Sequence, residues 1–156
     1  MGSEWGTRPL KNCGKWLSGG TPSKSRADYW DGHIPWISAK SLKSFFVTDS
    51  DERLTEAGLE KGGRLVPKGT ILFVVRGMSL ADEFRIGITK AEITFNQYLK
   101  AVIPSEGIDS RFLFYAIRSV TPTIMGMVDE ASHGTRRLQT QRLEELPIPI
   151  PSLPEQ

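Results

Sequence analysis

The five-residue apolar run Ile71–Val75 constrains the fold of this chain more than any other feature. It follows Pro67-Lys68-Gly69, which is typical of a turn because proline fixes φ and glycine accepts positive φ. A continuous apolar run of this length indicates a strand that is covered on both faces. No apolar run approaches the ~20 residues that cross a bilayer. We therefore expect a layered domain around a buried strand, and no membrane partner.

The remaining segments alternate between short apolar runs and turn residues, which is typical of a mixed domain. Further strands are predicted over Arg85–Thr89, Tyr98–Ile103 and Ile34–Ser38, and helices over Ser110–Val120, Leu138–Leu146 and Thr55–Lys61. Pro35 places its strand at an edge or makes it a strand start. The alternating prolines of Ile148-Pro149-Ile150-Pro151 predict an extended edge segment. The predicted fold class is α+β, a compact single domain with a mixed or antiparallel twisted sheet of short strands, a few helices and long loops.

The 156 residues, 38% of them hydrophobic, fit one domain that can bury a core without disulfides. Residues 1–4 are set aside as a candidate expression remnant, and residues 5–156 are taken as the domain. The start of the chain does not have the pattern of a secretory signal, and Cys13 is the single cysteine. These features predict a cytoplasmic protein without an internal disulfide.

The sequence does not offer a constellation for catalysis. It has two histidines, and it contains neither a Gly-x-x-x-x-Gly-Lys-Ser/Thr loop nor Gly-x-Ser-x-Gly. None of the 18 acidic residues has a lysine two positions later, an arrangement frequent in metal-dependent nucleases. We therefore expect no catalytic residues, no metal site and no cofactor in this chain. An enzyme, such as a nuclease or hydrolase, is kept as a rival hypothesis.

The formal net charge of +2 conceals an uneven distribution. Residues 1–26 carry five cationic side chains against Glu4 alone, and residues 131–143 carry three arginines and no acid. If the two segments meet in the fold, they form a basic face that suits nucleic acid. Solvated surface charge is the alternative interpretation.

An ordered set of short motifs runs from about Leu10 to Gln156. The motifs are Gly20–Ser23, Tyr29–Trp30, Gly32, Ile34–Ser38, Thr55–Leu59, Leu65–Leu72, Arg76–Gly77, Asn96–Gln97, Gly134–Thr135 and Leu146–Gln156. In this order and at these spacings, the chain resembles a target-recognition domain of a type I restriction–modification specificity subunit. Most of these residues have structural explanations as turns and core. Sequence reading is therefore expected to depend on the residues between them.

The resemblance implies a non-catalytic domain that reads one half of a bipartite double-stranded DNA target. It implies partner modification (methyltransferase) subunits that use S-adenosylmethionine and restriction subunits that use ATP and magnesium. The family's spacer helix and second recognition domain are absent, so the chain is expected to be an excised domain or a half-length subunit. Two alternatives stay open: a recognition domain of a fused restriction–methyltransferase, and a degenerate fragment that acts only as a protein-interaction module.

Direct reading of duplex DNA needs cations for phosphates and polar donors for base edges. Four segments offer such groups beside turn-forming residues. The predicted DNA-binding residues are Lys24 and Arg26; Ser38, Lys40 and Ser41; Arg76, Gly77, Met78 and Ser79; and His133, Thr135, Arg136 and Arg137. Two alternatives are that Arg76 pairs with Asp82 or Glu83 and that Lys24 and Arg26 are solvated.

Large or polar residues within the family motifs are expected to serve the scaffold. Trp30 and Trp36 are predicted to fill the core rather than stack on bases. Asn96-Gln97 is predicted to form a structural turn, although asparagine and glutamine match adenine. Cys13 is predicted to be a packed or solvated structural residue, because nothing near it in sequence supplies a general base.

Overall fold

The computed structural model describes residues 5–130 and 134–156. These residues form twelve strands and four α-helices. The strands are β1 (Gly6–Pro9), β2 (Gly14–Ser18), β3 (Trp30–Ile37), β4 (Phe46–Val47), β5 (Arg53–Leu54), β6 (Ile71–Val74), β7 (Ile86–Thr89), β8 (Thr94–Phe95), β9 (Leu99–Pro104), β10 (Val128–Glu130), β11 (Arg136–Leu138) and β12 (Pro147–Ile150). The helices are α1 (Glu56–Glu60), α2 (Ser110–Ser119), α3 (Thr121–Met125) and α4 (Thr140–Glu144).

A five-stranded sheet, in the order β2-β9-β6-β7-β4, forms the centre of the domain. Strand β6 pairs antiparallel with both β7 and β9, and all four of its residues are buried. The prediction of a strand covered on both faces is therefore confirmed. The large cluster, defined as the main core around β6, contains Phe73, Phe95 and Phe114 among its fully buried side chains.

Helix α2 begins where the sequence predicts. The Asp109 side chain accepts a hydrogen bond from the backbone N–H of Phe112 at 2.9 Å, which caps the first turn. Leu113, Phe114 and Ile117 are buried. Their spacing places them on one face of the helix, and this face joins the large cluster.

A smaller sheet, in the order β5-β3-β8, lies beside a second apolar cluster. The small cluster is defined as buried Ile34, Trp36 and Leu54 with the partly buried residues packed on them. The expectation that Pro35 lies at an edge or a strand start is wrong, because β3 is the middle strand. Parallel pairing with β8 begins only at the residue after Pro35. The missing N–H of the proline therefore removes no bond from the ladder.

The predicted helix Leu138–Leu146 is shorter than expected. Leu138 lies in β11, and its N–H donates to the backbone oxygen of Val75 at 2.8 Å. Only Thr140–Glu144 forms the helix. A tertiary strand contact thus prevails over the helical spacing of the leucines, because an unpaired buried N–H would cost free energy.

The proline-rich segment near residue 150 forms β12, whose one strand partner in the described part of the chain is β1. The extended edge segment is therefore confirmed. Short strands, mixed pairings and a few helices confirm the α+β class. In residues 5–130 and 134–156, no helix has the length and apolar character needed to cross a membrane.

Candidate nucleic-acid interface

The carboxyl end of β6 brings three distant segments side by side. The N–H of Val75 donates to the Tyr98 oxygen at 2.8 Å, and the Val75 oxygen accepts from Leu138. The N–H of Gly77 donates to the Arg136 oxygen at 2.9 Å. The segment after β6 therefore lies between the start of β9 and strand β11. Two of the four segments predicted to bind DNA meet here.

An open groove with a volume of about 450 Å³ adjoins this junction and is called the central groove below. Its lining includes residues from three of the four predicted segments. These are Lys24, Ser38, Lys40, Gly77, Met78 and Ser79. The groove also exposes parts of Trp36 and Tyr98, so an apolar floor lies among polar loops.

Lys24 is held at the groove by aromatic rings. Its ammonium lies 4.0 Å from the ring centroid of Trp30 and 4.6 Å from that of Trp36, and it pairs with Glu52. The Trp36 side chain is 3% exposed, and Trp30 packs against it at the edge of the small cluster. The two tryptophans therefore serve the core, as predicted. They also fix the direction of Lys24.

The turn at residues 38–41 is fixed by its own two serines and by Arg85, which directly precedes β7. The Ser38 N–H donates to the Ser41 hydroxyl oxygen at 2.8 Å, and the two hydroxyl oxygens lie 3.2 Å apart. The Arg85 guanidinium donates to the Ala39 oxygen at 2.9 Å. The Lys40 side chain has no carboxylate at ion-pair distance in the described residues. It is available to an external anion.

The loop after β6 has a backbone geometry that only glycine adopts easily. Gly77 has φ 133° and ψ 170°. Glu83 pairs with Arg85 at 2.9 Å instead of with Arg76. Asp82 also makes no ion pair with Arg76 in the part of the chain that the structure describes. The alternative that Arg76 is neutralised across its own loop is therefore wrong, and its side chain is exposed.

The hairpin of β10 and β11 places acids opposite the predicted arginines. Arg136 lies 3.6 Å from Glu130, and Arg137 lies 3.2 Å from Asp129. Hydrogen bonds from Gln139 and Arg137 hold the pKa of Asp129 below its ordinary value. The segment 131–143 contains no acid, yet antiparallel pairing brings two carboxylates to it. The arginines of this acid-free segment are therefore opposed by acids from β10.

Arg76 and Arg137 are directly opposite each other in an isolated antiparallel bridge. Opposite residues in such a pair project from the same face of the strands. Arg137 pairs with Asp129, whereas Arg76 has no carboxylate at ion-pair distance among the described residues. The Arg76 guanidinium therefore presents a fork of donors that an external anion can bind.

Arg76, Arg136 and Arg137 lie at the junction beside the central groove, whereas Arg26, Ser41 and Thr135 belong to neither the junction nor the groove's lining. Arg26 pairs with Asp28 and lies 4.8 Å from the Tyr29 ring. Ser41 is engaged with Ser38 in their shared turn, and Thr135 directly precedes β11. His133 falls outside the described residues. The predicted set therefore divides into a convergent group and peripheral positions.

The groove residues that the sequence did not predict as functional include Tyr98, Arg85 and Glu52. Tyr98 follows the motif Asn96-Gln97 and is 42% exposed, whereas Asn96 is buried and accepts from the Tyr98 N–H at 3.0 Å. The structural turn predicted for Asn96 is thus confirmed. Arg85 holds the turn at residue 39, and Glu52 pairs with Lys24. An exposed tyrosine directly after a turn motif was the available signal for Tyr98.

The chemistry of this surface is that of binding. Cations, hydroxyl groups and a glycine backbone surround an apolar floor, and such groups suit phosphates and base edges. Among residues 5–130 and 134–156, no group of three or more histidine, cysteine or acidic side chains could hold a metal ion. Cys13 is fully buried, and burial raises the pKa of its thiol.

A comparison with family models identifies the domain. Residues 2–156 match the model of the type I restriction modification DNA specificity domain. The chain belongs to this family. Over 98% of its length it is 35% identical to the specificity subunit of the type I restriction enzyme EcoR124I/EcoR124II from Escherichia coli, and 32% identical to that of MjaIX from Methanocaldococcus jannaschii. It spans only 38% and 35% of these two relatives.

Solved structures show the same fold at low sequence identity. The HsdS subunit from Thermoanaerobacter tengcongensis superposes with a TM-score of 0.69 and 14% identity, covering 99% of this chain and 35% of that one. The α+β fold of this chain therefore agrees with that of the solved structure.

Proposed function

We propose that this domain reads one half of a bipartite double-stranded DNA target for a type I restriction–modification complex in the cytoplasm. It binds and does no chemistry. Methylation and cleavage, with S-adenosylmethionine, ATP and magnesium, belong to partner modification and restriction subunits. Membership of the DNA specificity domain family supports this proposal. The fused restriction–methyltransferase and the protein-interaction module lack a specific observation in their favour.

One observation carries the proposal: cationic and polar residues that are distant in sequence converge around the end of β6. Lys24, Lys40 and the loop at Arg76 surround one groove, and Arg137 lies opposite Arg76. Phosphate contacts position a protein on duplex DNA, and side chains that enter a DNA groove specify the bases. The apolar floor and the polar rim supply both kinds of contact.

The first test is selection of a random-centre duplex library on the 156-residue chain at low and moderate salt. A short enriched motif supports sequence-specific reading. Binding that has no motif and disappears with salt is phosphate attraction alone, and this outcome would overturn the proposal.

Arg76→Gln provides the residue-level test on the selected duplex. We expect weaker binding and a salt dependence reduced by about one phosphate contact, because a guanidinium without a neutralising carboxylate is lost. Arg111→Gln is the matched control, since it removes the same charge from an exposed position of helix α2, beside Asp109 and Leu153. Equal effects of the two variants would show that net charge matters and the convergent surface does not.

A further inference from the structure

An apolar side chain is exposed on the rim of the central groove. Met78 is 66% exposed, the largest value among the large hydrophobic residues that the structure describes. Its neighbours on the rim are Lys40 and Ser79, and Arg76 lies two residues earlier. Isolated exposed apolar residues are common on protein surfaces. Here the residue lies within the surface that the proposed function assigns to DNA.

The backbone holds Met78 in place before any ligand binds. The residue begins a 3₁₀ turn, Met78–Ala81, in which Leu80 is fully buried. The N–H of Leu80 donates to the Gly77 oxygen at 3.3 Å, and Gly77 is itself bound to Arg136. The methionine is therefore presented from an anchored turn. Pre-organisation of this kind lowers the entropic cost of binding.

The apolar character continues from Met78 into the groove. Tyr98 and Trp36 line the same groove, and Tyr98 is 42% exposed. The Val75 N–H bonds to the Tyr98 oxygen, which fixes the start of β9 against the loop that carries Met78. Lys40, which has no ion-pair partner in the described residues, and Lys24, which pairs with Glu52, border this apolar strip. A ligand with anionic borders and an apolar group between them would fit it.

The major groove of DNA presents such a pattern. Phosphates border it, and its floor carries hydrogen-bond donors and acceptors and the C5 methyl group of thymine. Apolar side chains in the major groove contact this methyl group. We propose that Met78, with Tyr98 beside it, reads a thymine in the half-target through its methyl group. This inference rests on the proposed function and names its specificity-determining residue.

The test replaces each thymine of the selected motif by deoxyuridine, one position at a time, and measures the Kd of the 156-residue chain. Deoxyuridine lacks only the methyl group. At one position we expect the wild type to lose about fourfold in affinity, the amount typical of one buried methyl group. Met78→Ser is expected to bind the thymine and deoxyuridine duplexes equally.

Leu153→Ser is the matched control, because Leu153 is 55% exposed and lies beside Asp109 and Gln156, outside the central groove's lining. This variant is expected to keep the full preference for thymine. Thermal unfolding of both variants checks that each is folded. Since Met78 is mostly exposed, Met78→Ser should unfold at nearly the wild-type temperature.

The outcomes separate this inference from the function on which it rests. A wild type that selects no motif overturns the proposed function, and the role of Met78 with it. A motif without thymine, or one in which every thymine tolerates deoxyuridine, overturns the role of Met78 alone. Retained discrimination in Met78→Ser also overturns it. Loss of discrimination in Met78→Ser, with the control unchanged, supports it.

Discussion

The large and small clusters stabilise different parts of the molecule. The large cluster is built on β6 and its neighbours from mostly aliphatic and phenylalanine side chains. The small cluster centres on Trp36, with Trp30 packed edge-on at a ring distance of 5.0 Å. Its indoles also donate hydrogen bonds to loops. We infer that the large cluster sets whether the domain folds, and the small cluster sets where the Lys24 loop lies.

The hydrogen bonds of the two indoles explain this difference. Trp36 Nε1 donates to the Gly20 oxygen at 3.0 Å, and Trp30 Nε1 donates to the Ser23 oxygen at 3.0 Å. Both acceptors belong to the segment that carries Lys24. An indole has an apolar body and one polar donor, so it can be buried and still hold a loop. The packing of the small cluster therefore fixes the position of the Lys24 segment at the central groove.

The largest effect is expected from Phe73→Ala in the large cluster. Phe73 is fully buried, with the rings of Trp16 and Phe84 within 6 Å. Its removal should lower the free energy of unfolding by about 3–5 kcal/mol, because the lost contacts leave a cavity. Urea unfolding measures this. A loss below about 1 kcal/mol would contradict the assignment of β6 to the structural centre.

Trp36→Phe should separate placement of the loop from stability. It removes the donor to the Gly20 oxygen, and loss of such a part-buried hydrogen bond costs about 0.5–1.5 kcal/mol. Amide hydrogen exchange should rise at residues 20–24, and affinity for the selected duplex should fall.

Trp16→Phe is the matched control for Trp36→Phe. Trp16 Nε1 donates to the Leu10 oxygen at 3.3 Å, and its ring packs against the large cluster. This variant should lose stability yet keep its duplex affinity in the folded state. Equal loss of affinity in both variants would remove the distinction between the clusters.

The smallest effect is expected from Thr55→Ala beside the small cluster. The Thr55 hydroxyl accepts from the Gly58 N–H at 3.1 Å and donates to the Asp28 oxygen at 2.6 Å. Loss of this cap should cost about 0.5–2 kcal/mol in thermal or urea unfolding. Asp109→Ala removes the corresponding cap of α2 and serves as the control. Amide hydrogen exchange near residue 28 should rise in Thr55→Ala, because its bond to the Asp28 oxygen is lost, and should stay unchanged in the control. A rise in both variants would contradict a local effect.

Much of the fold could be predicted because local signals and tertiary packing agree. Ile71–Val75 is apolar throughout and occupies the central strand, and Asp109 caps the helix that the apolar spacing predicts. Pro35 and Leu138 were placed incorrectly for one physical reason. Their conformation depends on strands distant in sequence, β8 for the proline and the end of β6 for the leucine.

The sequence predicted which residues line the candidate site better than it predicted which of their charges are neutralised. Lys24, Lys40 and the loop at Gly77 do line one groove. The acids that oppose Arg136 and Arg137 precede the segment in sequence, so only the register of β10 and β11 reveals them. Tyr98 was missed because its contribution depends on hydrogen bonding to Val75, which the sequence does not encode locally.

The pairing of β1 with β12 brings the two ends of the domain together. Gly6 lies opposite Ile150, and Trp5 Nε1 reaches the Glu155 carboxylate at 3.4 Å. The first and last strands of the domain therefore lie side by side, and the chain enters and leaves the domain at the same place. Chain ends that lie close together allow a domain to be inserted at a single position of a longer polypeptide.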